Sequence, residues 1–279
     1  MKHTPKYLAY LFASTMALPA AHAAPWSDAA PSSADAGASR WRDLFGTPSE
    51  LVLGVGVGYG PRYQGAASGR VQPLPVLSYQ KGVLFADTAR GVGLQFPLHQ
   101  NLYLSQSIWY DLGRLERDSD SRPGSARLAG MGEVPGSVTA RTLVMAQLTP
   151  SLSASAEAEL ALRDGARRNR YRLGLEQNVF KAAADAVVIN ADTWWGDARY
   201  NQAYFGVTAQ QAARTGFAPF APGSGLHAWS VGATWEHVFD AHWGSSLQLT
   251  ATRYPGKVSD GPIARHSGVA STAAITYTY

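Results

Sequence analysis

Arg265-His266-Ser267 sets a histidine base beside a serine hydroxyl. A serine activated by a histidine can attack an ester, which is the chemistry of a lipid hydrolase at a membrane surface. Neighbouring residues on a strand project to opposite faces, so a direct His266–Ser267 dyad requires a loop at this point. The other histidines offer less. The seven are His3, His22, His99, His227, His237, His242 and His266; none falls in an HExxH pattern, and His237 and His242 lie across a turn at a spacing that suits metal ligation poorly. Gly54, Gly56 and Gly58 resemble a phosphate loop, but they sit in a strand that leads into another strand, without the helix that would receive a phosphate. With no cysteine, disulfides, thiolate metal sites and cysteine nucleophiles are excluded. The residues therefore assign no catalytic, cofactor-binding or metal set, and the chain reads as a non-enzyme without a cofactor.

The remaining charge has a different use. Asp87, Glu157, Glu159, Glu176, Asp192 and Glu236, together with Arg141, Arg163, Arg170, Arg172 and Arg253, fall in segments of period-two alternation. The expected outcome is a cross-strand network of opposite charges that fills or narrows an enclosed interior.

Those segments dominate the chain from Leu51 onward. Leu51, Leu53, Val55, Val57 and Tyr59 share one face against Gly54, Gly56 and Gly58. Leu152, Ala154, Ala156, Ala158, Leu160 and Leu162 oppose Ser153, Ser155, Glu157, Glu159 and Arg163. Tyr171, Leu173 and Leu175 oppose Arg170, Arg172 and Glu176, while Trp229, Val231, Ala233, Trp235 and Phe239 oppose Ser230, Gly232, Thr234 and Glu236. A soluble sandwich alternates too, so context must decide.

Composition supplies part of that context. Charged residues are 16% of the 279, against roughly 25% in a soluble domain, yet a mean hydropathy of -0.15 is too low for a bundle of membrane helices. Apolar and aromatic content is too high for a disordered chain. The formal net charge of +4 falls to about +2 without Lys2 and Lys6, which is no nucleic-acid footprint.

Residues 1–23 read as a secretory signal peptide: Lys2 and Lys6, an apolar run from Tyr7 to Leu18, then Ala21-His22-Ala23 as a small-x-small cleavage site. The apolar run is too short for the roughly 20 residues of a spanning helix. Residues 24–50, rich in Ala, Ser, Asp and Pro, read as a flexible periplasmic leader, in which Arg40 to Phe45 forms either a short surface helix or plain linker.

An exported chain with strands of about ten residues, aromatics near strand ends and no helical period fits an all-β transmembrane antiparallel β-barrel over residues 51–279. Strands are expected at 51–59, 71–80, 82–88, 91–97, 101–112, 137–148, 151–163, 169–179, 185–195, 227–240, 242–254 and 268–279. The count of twelve is even, which keeps both termini on the periplasmic side. A thirteenth candidate at 200–207 would break that parity, and is assigned to an external loop or to an extension of the preceding strand. Connections around Lys81, 98–100, Pro150, 181–184 and Ala241 are tight; the alternate set at 60–70, 113–136, 164–168, 196–226 and 255–267 is long, with Ala89-Arg90 the short exception. Pro73 and Pro75 lack ladder donors, which predicts an irregular start to the second strand. The third and fourth strands are expected to form a hairpin that crosses only partly. The charged stretch 113–136 is either merely solvated or a contact for anionic head groups or an external partner. The last strand ends on Tyr279, similar to the aromatic carboxy-terminal signal of bacterial outer-membrane proteins.

Gly54 to Gly65 (GVGVGYGPRYQG), Pro73-Leu74-Pro75-Val76-Leu77-Ser78-Tyr79, Arg90-Gly91-Val92-Gly93 and above all Tyr200-Asn201-Gln202-Ala203-Tyr204-Phe205-Gly206-Val207-Thr208 resemble the MipA/OmpV family of outer-membrane proteins. The resemblance covers residues 51–279 and carries no catalytic motif. It implies a barrel in the outer membrane of a Gram-negative bacterium, in contact with outer-membrane lipids and lipopolysaccharide. It further implies either a scaffold joining a lytic murein transglycosylase to a peptidoglycan synthase or a surface protein tied to adhesion. The alternatives drawn from the residues are a small-solute pore, from the charged lumen, and a lipid-modifying enzyme using Ser267 and His266.

Overall fold

The computed structural model describes residues 49–162 and 168–279. The expected signal peptide, almost all of the expected leader, including the Arg40–Phe45 segment, and Arg163 lie outside the described residues.

Twelve strands close into an antiparallel barrel: β1 Ser49–Pro61, β2 Gly69–Lys81, β3 Leu84–Asp87, β4 Gly91–His99, β5 Leu102–Asp111, β6 Ser137–Thr149, β7 Leu152–Ala161, β8 Asn169–Lys181, β9 Asp185–Gly196, β10 Gly225–Val238, β11 Trp243–Arg253 and β12 Ser267–Thr278. Each strand pairs with its sequence neighbours, and β1 meets β12 with Val52 opposite Thr278 and Tyr59 opposite Ser271. Closure gives every strand two neighbours, the arrangement that suits a sheet in hydrocarbon, although β2 meets β3 only over Ser78–Lys81. Short helices occupy the connections: α1 Ala198–Phe205, α2 Ala209–Thr215 and α3 Gly256–Ser259.

The alternation seen in the sequence becomes inside and outside. Val55, Val71, Leu173, Leu175, Val231, Leu249 and Ile275 stand exposed on the outer face, while Ser105, Arg141, Glu157, Arg172, Asp192, Ser230 and Thr250 are buried within. A soluble sheet buries its apolar face; this one turns it outward, which is stable only if the surroundings are themselves apolar. Two girdles of outward aromatics bound that surface. Tyr59, Tyr110, Tyr171 and Trp229 stand toward the long-loop end, and Tyr79, Phe180, Trp235, Trp243 and Tyr279 toward the short-turn end. From Tyr171 to Phe180 the chain rises roughly 23 Å at about 3.3 Å per residue and a tilt of about 40°, close to the ~25 Å apolar band of such barrels. Among the described residues no helix is long and apolar enough to cross a membrane, so any crossing is made by strands.

Two details differ from expectation. β2 is regular from Gly69 and pairs with β1 along its whole length, Val57 opposite Pro73 and Val55 opposite Pro75. The prolines do not disturb that ladder because their backbone nitrogens face away from β1. Arg253 is exposed on the outer face, since it shares the parity of Leu247, Leu249 and Ala251 and not that of the buried Gln248, Thr250 and Thr252. The partial hairpin is as expected: β3 has 4 residues and turns at Thr88–Arg90.

Candidate functional site: a braced lumen under a folded cap

One wall of the lumen carries a continuous ladder of charge across β6, β7, β8 and β9. Arg141 Nη2 donates to Glu157 Oε1 at 3.0 Å, and its Nε lies 3.7 Å from Glu159. Arg172 bridges onward, donating to Glu157 Oε2 at 3.3 Å and to Asp192 Oδ1 at 2.8 Å. Asn190 donates to the second oxygen of Asp192 at 2.6 Å. Arg170 pairs with Glu159 and lies 5.0 Å from the ring centroid of Trp194. Register explains the pattern: Glu159 faces both Arg141 and Arg170 directly, and Glu157 faces Arg172, so inward side chains of opposite sign meet at cross-strand distance. Three arginines are matched by three carboxylates, leaving the ladder electrically neutral. Through its middle the facing wall, from β10 through β12 to β2, is small or uncharged (Gly54, Gly56, Gly58, Ser230, Gly232, Thr250, Thr272, Ala274 and Leu74), with Arg70 and Glu236 on the inward parity near its ends.

The long connections at 60–70, 112–136, 196–226 and 255–267 do not splay. They fold into a cap over one end of the barrel, with two apolar clusters. One joins Val134, Trp194, Tyr200, Tyr204, Phe205, Ala228, Tyr254, Val258 and Ala264; the other joins Tyr63, Ala66, Leu128, Met131, Val207 and Ile263. At its centre lies α1, which is the stretch 200–207 expected as loop or strand extension. It is a helix because Asp197 caps its start, accepting from Tyr200 N at 2.6 Å, and because Tyr200 with Tyr204 and Asn201 with Phe205 recur at the spacing that shares a helix face.

Every large side chain of that stretch is engaged. The Tyr200 hydroxyl accepts from Gln64 Nε2 at 2.9 Å, and its ring lies 4.7 Å from that of Tyr204 and 5.2 Å from that of His227. Asn201 Nδ2 donates to Gly223 O at 2.8 Å. The Tyr204 hydroxyl donates to Asp111 Oδ2 at 2.7 Å, and Phe205 is fully buried. Val207 exchanges backbone hydrogen bonds with Phe220 at 2.8 Å. The Gly54–Gly65 stretch supplies the opposite side: Tyr63 donates to Ile263 O at 3.0 Å, and Gly65 has φ 80°, with a Cβ there falling 2.7 Å from Ala264 Cβ. Desolvation raises the phenol pKa of Tyr63, Tyr200, Tyr204 and Tyr254 above the usual range.

The charged loop 112–136 divides its charge between the cap and the surface: Arg114, Glu116 and Arg122 turn toward the cap, whereas Arg117, Asp118, Asp120, Arg127 and Glu133 are exposed. Arg114 is buried and donates to Tyr204 O at 2.7 Å; burial pushes its guanidinium down to about 10. Glu116 accepts from Gly130 N and Gly132 N at 3.0 and 2.7 Å. Arg117 pairs with Glu133, and Arg127 donates to Pro262 O.

The histidine chemistry resolves differently from its first reading. His266 Nδ1 lies 2.7 Å from Ser259 Oγ, on α3, not against Ser267. His237 pairs with Asp185 and His242 with Thr278 O, and among the described residues no group of ligands could hold a metal ion. Asp87 is buried in the lumen, where Oδ1 caps the turn after β3, and Glu176 is buried on the inner face of β8.

A search among curated proteins finds no match. Solved structures of similar outline include a bacterial polysaccharide outer membrane secretin (8% identity, 83% of this chain and 98% of that one, TM-score 0.45). They also include the NanC porin (8%, 81% and 98%, 0.45) and an anion-selective porin from Comamonas acidovorans (9%, 83% and 99%, 0.37). At these values no solute or direction of transport carries over. The sequence itself is more specific: residues 53–279 match the family described as MltA-interacting protein MipA. The closed barrel, the lipid-facing exterior and this match over nearly the whole described chain place it as an outer-membrane β-barrel, and the chain belongs to the MipA family.

Proposed function

We propose that this chain is a non-enzymatic scaffold or interaction protein of the Gram-negative outer membrane. In this reading a cleaved signal peptide (1–23) exports it, a periplasmic leader (24–50) precedes the barrel, and residues 51–279 form the membrane domain. The observation that carries the proposal is the cap: the two stretches that most resemble the family, around Gln64 and Tyr200, are used to tie loops together over the lumen. A chain that commits its distinctive residues to sealing an exit supports a binding platform over a free solute path. The family description, MltA-interacting protein, supports a lytic murein transglycosylase as partner, and the sequence resemblance adds a peptidoglycan synthase as the second member of the complex; the mild net charge argues against nucleic acid. Affinity capture of tagged mature protein from crosslinked envelopes tests this. Reproducible recovery of a murein enzyme supports it, and recovery of no envelope partner removes it.

The charged lumen supports a second reading, a small-solute pore. Planar-bilayer recording separates the two, because a capped, charge-braced barrel carries no steady current. A surface adhesin would instead bind host or matrix components through the cap. A lipid-modifying activity would centre on Ser259 and His266, and unchanged lipid A on overexpression would exclude it.

A further inference from the structure

The outer wall of the barrel is not smooth. Leu173 and Leu175 on β8 and Trp229 and Val231 on β10 form two ridges, and between them β9 sets only Thr193 and Ala191, leaving an apolar groove of about 660 Å³. Register builds it: Thr193 lies between Leu173 and Trp229, and Ala191 between Leu175 and Val231, so a small side chain is flanked by large ones on two successive outward levels. The volume is that of a small-molecule site, roughly 300–1,000 Å³. A second depression of about 480 Å³ adjoins it across Leu173, bounded by Val144 and Trp195.

Depth assigns the groove to one leaflet. Leu175 lies four residues along β8 from Tyr171 of the long-loop girdle, about 10 Å of depth at ~3.3 Å per residue and a tilt of about 40°. The groove therefore occupies the half of the apolar band nearer the long loops, which is the outer leaflet when both termini are periplasmic. Above it the surface turns cationic. Arg253, the last residue of β11, faces outward directly across from Trp229, at an end where other strands present Tyr59, Tyr110 and Tyr171. Among the described residues it has no ion-pair partner, and a guanidinium fork at head-group level matches phosphate. Lys257 on α3 is exposed and donates to Ser224 O, just before Gly225 opens β10. The acids of these connections are turned to the backbone: Asp197 accepts from Asn169 N and Tyr200 N, and Asp260 lies against Gly256.

We propose that this face binds the phosphorylated, multiply acylated lipid of the outer leaflet, with phosphate at Arg253 and Lys257 and an acyl chain in the groove between Leu173 and Trp229. The occupant is a lipid because the groove is apolar, lies at hydrocarbon depth and opens sideways to the membrane. It is phosphorylated because the two cations stand at head-group level at the outer end of the same strands. It carries several chains because a second depression adjoins the first. The site is independent of the scaffold role.

Native mass spectrometry tests it in the full-length mature barrel, folded into nanodiscs of phosphatidylethanolamine and phosphatidylglycerol to which diphosphoryl lipid A is added. Heat-modifiable gel mobility selects folded protein, and transfer to mild detergent leaves only tightly held lipid to be weighed. The parent is expected to retain lipid A in preference to phosphatidylglycerol. The Arg253→Gln, Lys257→Gln double variant should weaken that retention about fivefold per charge removed, the worth of a cation at an anionic membrane surface. Ala191→Trp, which fills the groove floor and leaves both cations in place, should abolish it, whereas Lys81→Gln at the short-turn end should change nothing. A parent that retains no lipid A, or retains phosphatidylglycerol equally, overturns the proposal. So does retention unchanged in either the double variant or Ala191→Trp, or a dimer of barrels in place of the lipid adduct.

Discussion

The side-chain amide of Gln64 donates to the phenolic oxygen of Tyr200 at 2.9 Å across 136 residues of sequence. It joins the loop after β1 to the helix after β9, and so makes one body of loops that would otherwise move separately. Tyr200→Phe removes only the hydroxyl, at a cost of about 0.5–1.5 kcal/mol. Tyr200→Ala also removes a buried ring, costing about 3–5 kcal/mol. The expected outcome is a small loss of urea resistance for the first variant, and for the second a loosened cap with increased single-channel current. Equal currents in both variants and the parent would show that the cap does not seal the lumen.

Glu157 holds two arginines, Arg141 and Arg172, from different strands. Glu157→Gln leaves buried cations short of their partner and is expected to destabilise by about 3–5 kcal/mol, the range for breaking a buried pair from one side. Adding Arg141→Met should restore part of that loss, because the uncompensated charge goes with it. Denaturant titration of the single and double variants in lipid measures the coupling, and strict additivity would mean that the ladder is not one network.

Alkaline pH should open the cap before it unfolds the barrel. Tyr63, Tyr200, Tyr204 and Tyr254 have folded-state pKa values raised above the ordinary 10.0. Their contribution is therefore fully present below pH 10 and is lost as pH rises toward the folded values. Arg114 acts in the opposite sense: its folded value is lowered to about 10 from 12.5, so its burial cost shrinks as pH rises through that interval. Four phenols outweigh one guanidinium, and a cooperative rise in tyrosinate absorbance above pH 10, with barrel circular dichroism retained, is the expected signature. Independent titration of the four near the ordinary value would contradict the packing.

Ser259 and His266 test the enzymatic alternative directly. If their 2.7 Å contact only ties α3 to the start of β12, Ser259→Ala lowers stability by about 1 kcal/mol and leaves membrane lipid composition as it was. A lipid change that depends on both side chains would make them a catalytic pair.

The barrel was legible because a two-sided sheet writes its parity into every strand; Leu173 and Arg172 announce opposite faces wherever their neighbours are. Short turns and long loops followed from the same reading. Arg253 was misplaced although its parity with Leu249 and Ala251 was available, since its charge suggested the lumen more strongly than its position did. The helix at Ala198–Phe205 was hidden by brevity: aromatic residues in so short a stretch favour strand by propensity, and only Asp197 and the Tyr200/Tyr204 spacing spoke for a helix. The cap contacts could not be read at all. Tyr63 and Ile263 lie 200 residues apart, and nothing local in either loop specifies the other. The missing partner for β2 was equally silent, because it depends on where a neighbouring hairpin stops.

The one-sided charge ladder also sets how the barrel deforms. Strands β6 to β9 are cross-tied by ion pairs as well as by backbone, whereas on the inner face β1 meets β12 through glycine against threonine and alanine, and meets β2 through glycine against Gln72, Leu74 and Val76. A hoop stiff on one arc and compliant on the other does not breathe evenly: strain from lateral membrane pressure collects in the compliant arc. Amide exchange should accordingly be fastest along β1 to β3 and slowest along β7 to β9, giving the molecule a built-in direction of flexing.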